Sequence, residues 1–312
     1  MSSLLSKIRR NVIRKTIRYK IRRRMIILNE GIINRIIGKK IFFASTKQLM
    51  YWANEMCDYL PRDCDLVVAI PRAGLPVGGL IALRLGLPIS TPELFSKGLI
   101  WEPRGARSKQ LKTARNIKKI LLVDDSMSSA KTMDEAEKFI HVYKPNAEII
   151  KAVVTAKKYA RPHCDFCHII LPSHDTVYEW QLTTAYIDGV AADLDGVICE
   201  ECFVSRENEK AYINWIRNAK PLLIPKYHFK AIISNRLEKY RQETEDWLIK
   251  NNVKYKSLLL AKSISELGSH KSYWLMKIKP KFYIESDYET AKRLWSSTKI
   301  PVLCYKKMIM FS

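Results

Sequence analysis

Two pairs of carboxylates in this chain have the types and spacing to do chemistry on phosphorylated ligands. The first pair lies in Val123-Asp124-Asp125-Ser126-Met127-Ser128-Ser129-Ala130-Lys131-Thr132. The apolar run Ile120-Leu121-Leu122-Val123 precedes it, and helix-like spacing follows over 131–143. Acids at a strand end can grip a ribose diol and its magnesium. The small and hydroxyl residues that follow allow a tight turn. The amides of Ser128, Ser129, Ala130, Lys131 and Thr132 then wrap a phosphate at a helix N-terminus. An acidic strand end with a serine-rich helix cap has the same residue types. The second pair lies in Ala191-Ala192-Asp193-Leu194-Asp195-Gly196-Val197-Ile198. Acids spaced by one residue can both project from a turn, which Gly196 permits. One suits attack on phosphorus; the other suits protonation of the leaving group and activation of water. A magnesium or turn motif of another kind fits that pair taken alone.

Further residues stand at the ends of other apolar runs. Ile70-Pro71-Arg72-Ala73-Gly74 follows Leu66-Val67-Val68-Ala69, with Arg72 bringing a cation and Gly74 allowing close backbone approach. Between this loop and the first acid pair, Lys97, Arg104, Arg107, Lys109, Lys112 and Arg115 crowd residues 96–118. Downstream of the second pair, Ser234 ends Ile232-Ile233 and suits a phosphate oxygen. Lys271 lies in a helix-like stretch and suits a phosphoryl charge, with Lys277, Lys279 and Lys281 competing for that part. Glu285 and Asp287 end Phe282-Tyr283-Ile284 and suit magnesium.

The first constellation resembles the PRPP-binding signature of type I phosphoribosyltransferases. It departs at Ala130 and Lys131, where glycines are usual. The resemblance implies that Asp124 and Asp125 hold the ribose hydroxyls, that 128–132 hold the 5-phosphate, and that Arg72, Ala73 and Gly74 line the pyrophosphate side. It also implies that 96–118 forms a hood over the reactive centre. The second constellation resembles the haloacid dehalogenase superfamily over 187–305. By that resemblance Asp193 is the nucleophile and Asp195 the acid/base. Ser234 and Lys271 bind phosphate, and Asp193, Glu285 and Asp287 hold Mg²⁺. The acids read Glu-Ser-Asp rather than adjacent aspartates. Residues 200–228 form a small insert in the position of a cap. The two constellations in series resemble the two-part ribofuranosyltransferases of bacterial polysaccharide assembly, which take PRPP as donor and a glycan as acceptor.

Such sites need rigid strand ends, and the chain supplies them. Continuous β-branched runs at 66–70, 120–123, 148–156 and 168–171 read as strands covered on both faces. The pattern restarts at 187–193, 230–234, 255–261, 281–285 and 301–305. Strand–helix alternation predicts an α/β fold, with two doubly wound parallel sheets in series. The expected division is a basic amphipathic helical arm over 1–40, a phosphoribosyltransferase-like domain over 41–183 and a phosphatase-like domain over 184–312.

Composition sets the outer bounds. The 312 residues suit two ordinary domains, and the chain is too apolar to be disordered. Seven cysteines in a chain of this length predict reduced thiols and a cytoplasmic setting; the basic arm adds the expectation of a place on the inner face of a membrane. Cys164/Cys167 and Cys199/Cys202 have zinc-ligand spacing, with unpaired thiols as the simpler alternative. Trp180 reads as packing or as an acceptor contact. The net charge of +23 is concentrated at the start, where residues 1–40 hold thirteen Lys/Arg against Glu30. Ile8, Val12, Ile13, Ile17, Ile21 and Met25 recur there at helical spacing. That combination suits a helix lying on anionic lipid; a solvated helix or a nucleic-acid contact uses the same charge. The expected partners are therefore PRPP, a glycan or lipid-linked glycan and an anionic membrane. Nucleobase salvage and a non-enzymatic PRPP-sensing or nucleic-acid-binding regulator are the alternatives.

Overall fold

The computed structural model describes residues 41–102, 112–114, 116–171 and 175–312. The basic arm and Arg104, Arg107, Lys109 and Arg115 lie outside the described residues. The strands are β1 (Ile41–Ala44), β2 (Leu66–Ala69), β3 (Ile89–Ser90), β4 (Leu99–Ile100), β5 (Lys112–Thr113), β6 (Lys119–Met127), β7 (Glu148–Lys157) and β8 (Phe166–Leu171). They continue as β9 (Asp175–Tyr178), β10 (Ala191–Ala192), β11 (Ala231–Leu237), β12 (Leu258–Ala261), β13 (Tyr283–Glu285), β14 (Val302–Cys304) and β15 (Ile309–Phe311). The helices are α1 (Thr46–Met56), α2 (Gly74–Leu85), α3 (Pro92–Phe95), α4 (Lys131–Tyr143), α5 (Glu209–Asn218), α6 (Arg241–Lys250), α7 (His270–Ile278) and α8 (Tyr288–Thr298).

Contacts divide the described residues into two compact units: 47–171, and 175–312 together with 41–46. Strand β1 groups with the second unit because it pairs in parallel with β9, from Ile41 opposite Asp175 to Ala44 opposite Tyr178. Strand pairing overrides sequence order, because an isolated four-residue strand satisfies neither its amides nor its apolar face.

In the first unit, five parallel strands run in the order β3-β2-β6-β7-β8. All four side chains of β2 are buried, as are Ile120 to Val123 of β6, so both faces are covered. Leu66, Val68, Ile120, Leu122 and Val153 share a core with Phe95 and Ile140. Each such side chain contributes roughly 1.5–3 kcal/mol on burial. Helix α4 buries Met133, Ala136 and Ile140, the i, i+3, i+7 stripe that the sequence announces. Helix α2 lies so close to β2 that a Cβ on Gly78 would stand 2.4 Å from that of Ala69. The chain goes outward from β2 to β3 on one side, then from β6 through β7 to β8 on the other. The direction reverses between β2 and β6, which opens a crevice at their carboxyl ends.

In the second unit the order is β12-β11-β10-β13-β14-β15, parallel except for β15. Here the reversal falls at β10, with β11 and β12 on one side and β13 and β14 on the other. The strand expected over 187–193 is shorter, because Ala185–Gly189 winds into a 3₁₀ turn in which the Val190 N–H donates to Ile187 O at 2.8 Å. An apolar run signals burial equally well for either conformation. Among the described residues, no helix is long and apolar enough to cross a membrane.

Candidate active sites

At the first reversal, the residues after β2 and after β6 meet. The Ile70 N–H donates to Val123 O at 2.9 Å, which carries the pairing of the two strands one residue into the loop. The chain turns through Pro71, Arg72 and Ala73, with a cis Pro71–Arg72 peptide, and enters α2 at Gly74. A Cβ on Gly74 would lie 2.7 Å from Asp124 Oδ1 and 3.1 Å from Asp124 Cα. Only glycine fits there without displacing the acid. The side chain of Arg72 is exposed beside this contact.

Asp124 and Asp125 follow in the last turns of β6. The Asp125 N–H donates to Asp124 Oδ1 at 2.9 Å, and the Thr155 hydroxyl donates to Asp125 O at 3.2 Å. Burial, then the neighbouring Asp125 charge, pushes Asp124 up to about 9; burial also raises Asp125. Among the described residues no cation pairs with either acid. Two desolvated carboxylates side by side form a donor set that a divalent ion carrying a diol and a diphosphate satisfies. Ser128 and Ser129 are exposed in the turn, and Ala130 is the N-cap of α4. Alanine brings no capping oxygen, so the first amides of α4 take no bond from that side chain. Thr132 is exposed in that turn, as is Lys131, whose ammonium reaches Glu135 at 4.0 Å. Lys97 is exposed beyond α3. Lys112 falls in β5, which pairs antiparallel with β4.

At the second reversal, four expected residues converge. Lys271, in the first turn of α7, donates to Asp193 Oδ2 at 2.5 Å and to Glu285 Oε2 at 2.7 Å. All three are buried. Burial alone would push Lys271 down, but Asp193 and Glu285 outweigh it and raise it, so an ammonium sits between two acids. The Leu194 N–H donates to Asp193 Oδ1 at 2.8 Å and fixes the carboxylate. Ser234 is buried midway along β11, where its Oγ accepts from the Arg236 N–H at 3.2 Å. Gly196 adopts φ 77°, and a Cβ there would meet Ser286 Cβ at 2.5 Å, so the turns after β10 and β13 pack directly. Lys277 and Lys279 lie at the far end of α7 and Lys281 precedes β13, which leaves Lys271 as the lysine of the cluster.

Lys271 occupies the space between Asp193 and Glu285. Asp287 Oδ1 accepts from the Thr290 N–H at 2.8 Å at the start of α8, a bond that lowers its carboxyl from the usual range. Among the described residues no group of three His, Cys, Asp or Glu side chains is spaced to hold a metal ion. As they stand, these carboxylates hold an ammonium. The seven cysteines form no disulfide. Trp180 stacks on Tyr178 with ring centroids 4.7 Å apart.

Arg236 went unnoticed in the sequence and shapes the site. Its side chain has no exposed surface, and its Nη2 and Nε donate to Asp195 Oδ1 at 2.7 and 3.0 Å. Nη2 also reaches Cys199 Sγ at 3.3 Å, Nη1 donates to Thr244 Oγ1 at 3.3 Å, and the guanidinium lies 5.0 Å from the Trp215 ring centre. Asp195 is thus oriented by a buried cation, with Oδ2 the less engaged oxygen. An arginine within a buried strand demands a carboxylate partner, and that was the available signal. Trp215 belongs to α5, so the segment 200–228 does contribute a helix beside Asp195.

Comparison with known proteins addresses the first unit. The phosphoribosyl transferase domain family model matches residues 36–183. No curated protein matches the chain. Among solved structures, the chain is similar to the Helicobacter pylori xanthine-guanine-hypoxanthine phosphoribosyltransferase, at 16% identity over 46% of this chain and 94% of that one, with a TM-score of 0.35. A purine phosphoribosyltransferase from Pyrococcus horikoshii gives 17% identity, 45% and 93% coverage and a TM-score of 0.32. The orotate phosphoribosyltransferase from Aeropyrum pernix gives 13%, 44%, 87% and 0.29. The family match spans the Arg72 loop and the stretch from Asp124 to Thr132.

Proposed function

We propose that the chain transfers a 5-phosphoribosyl group from PRPP to an acceptor, a glycan in the leading form of the proposal, and then removes the 5-phosphate at its second site. The observation that carries the transfer step is the contact between Gly74 and Asp124. It brings the Arg72 loop and the acid pair together at one strand reversal, beside the matched family's signature stretch. Asp124 and Asp125 hold the ribose diol, the turn 128–132 holds the 5-phosphate, and Arg72 faces the pyrophosphate. Magnesium, when bound with PRPP, withdraws charge from the departing pyrophosphate. The protein's part is to hold the sugar as an oxocarbenium-like state develops at C1 and to keep water out.

The dephosphorylation step rests on the cluster at β10. Asp193 attacks phosphorus through the oxygen that faces Lys271, and the ammonium offsets phosphoryl charge. Asp195, held by Arg236, passes a proton to the leaving ribose oxygen and later takes one from water. Removing the phosphate makes the sequence irreversible. The test is to incubate the protein with PRPP and Mg²⁺ against a panel of glycans, lipid-linked glycans and nucleobases, with products weighed by mass spectrometry. A pentosyl adduct on a glycan supports the proposal. A nucleoside product moves the acceptor to a base, and PRPP binding without pyrophosphate release makes the protein a sensor.

A further inference from the structure

The second unit is electrically polarised along its strands. The segments that lead into β10 to β14 (187–190, 226–230, 250–257, 278–282 and 299–301) hold eight lysines and no arginine, and Asp188 is their acid. The segments that leave those strands mix signs: Asp193, Asp195, Glu238, Glu266 and Asp287 stand with Lys239, Arg241, Lys262, Lys306 and Lys307. The lysine end is structurally continuous. Lys230 N–H donates to Val190 O at 2.8 Å, Lys281 N–H to Gly189 O at 2.7 Å, and Phe229 N–H to Lys254 O at 2.8 Å, so neighbouring loops lie side by side.

Lys254, Lys256, Lys279, Lys281 and Lys299 are exposed and Lys230 is half-buried. None of the six forms an ion pair with a described acid. Lys230 Nζ donates to Lys279 O at 3.2 Å, and Lys281 lies 4.2 Å over the Tyr186 ring. Helix C-termini favour lysine and account for Lys279 and Lys299, which cap α7 and α8. They do not account for Lys230, Lys254, Lys256 or Lys281, which stand in the approaches to strands. Among these cations Tyr227 is 44% exposed and Ile249 is 72% exposed.

We propose that this end of the second sheet docks on an anionic lipid bilayer. Lysine is a point charge on a long apolar stem and suits a diffuse anionic plane. Bidentate reading of nucleic-acid phosphates favours arginine, which this end lacks. Exposed Tyr227 and Ile249 supply the apolar contacts of an interfacial surface. The mixed-charge site end then points away from the lipid, which leaves the cluster around Asp193 outside the field that attracts the lysines. The inference is independent of the chemistry proposed for that cluster.

The test is sedimentation of the full-length chain with vesicles of phosphatidylcholine, with and without phosphatidylglycerol. One variant converts Lys230, Lys254, Lys256, Lys279, Lys281 and Lys299 to Gln. A control of equal charge converts Lys47, Lys118, Lys138, Lys158, Lys210 and Lys292 to Gln. A triple variant, Lys254→Gln/Lys256→Gln/Lys281→Gln, guards against misfolding of the larger one. Each lysine near the surface contributes about fivefold to partitioning. The six-site variant is expected to lose about 100-fold or more and the triple variant at least about tenfold, while the control stays near wild type. Equal losses in edge and control variants, unchanged binding of the triple variant, or tighter edge-dependent binding to duplex DNA than to vesicles would each overturn the proposal.

Discussion

Replacing Arg236 with Met removes the cation that holds Asp195 and leaves a carboxylate 16% exposed without its partner. The guanidinium contributes two bonds to Asp195 Oδ1, at 2.7 and 3.0 Å, from a side chain with no exposed surface. Breaking a buried pair from one side costs about 3–5 kcal/mol, because the remaining charge stays desolvated. Asp195→Asn leaves the opposite charge stranded and is expected to cost a similar amount. The double variant strands neither, so it should recover about 2 kcal/mol relative to the sum of the singles. Urea unfolding followed by tryptophan emission is the assay. Trp215, whose ring centre is 5.0 Å from the guanidinium, reports the site directly. Amide exchange in β10 and β11 locates the loss in the second unit. A single-variant cost below about 1 kcal/mol, or strict additivity of the two changes, would refute the pairing as the feature that orients Asp195.

Gly74→Ala is expected to cost about 1–3 kcal/mol and to weaken PRPP binding, because the new methyl meets Asp124 Oδ1 at 2.7 Å. Gly79→Ala in the same helix meets nothing within 4 Å and should be neutral or stabilising by about 0.4–1 kcal/mol; calorimetry and PRPP titration compare the two. Asp124 lies near 9 in the folded chain and at the ordinary carboxylate value when unfolded. The folded state therefore holds the extra proton across that window, and stability falls as pH rises through it. The melting temperature of Asp124→Asn should fall less over the same range. Binding of PRPP with Mg²⁺ at pH 7.5 should release a proton, visible as a buffer-dependent heat. Lys271→Met should destabilise the second unit by about 3–5 kcal/mol, and adding Glu285→Gln should recover part of that in urea unfolding, because one of two stranded acids is neutralised.

The two sheets and their site-bearing ends were legible because buried parallel strands are written as unbroken apolar runs, and the acids terminate those runs. Asp193, Ser234, Lys271 and Glu285 could be ordered along the chain before their meeting place was visible. The pairing of β1 with β9 was not legible, since it joins residues more than a hundred positions apart and leaves no local mark. The strand at β10 read too long because Ile187 and Val190 are buried in a 3₁₀ turn as fully as they would be in a sheet. That Asp287 also caps the next helix was not legible, because an acid at a strand end and an acid that caps a helix are the same letter. Arg236 escaped because its partner lies 41 positions away in the other half of the cluster.

The most direct measurement is a phosphorus-31 NMR time course with PRPP, Mg²⁺ and an accepted substrate, run on wild-type, Asp125→Asn and Asp193→Asn protein. The account predicts pyrophosphate and inorganic phosphate in equal amounts from the wild type, neither from Asp125→Asn, and pyrophosphate with a persistent phosphomonoester resonance from Asp193→Asn. Inorganic phosphate appearing at the wild-type rate from Asp193→Asn, or pyrophosphate from Asp125→Asn at that rate, would contradict it.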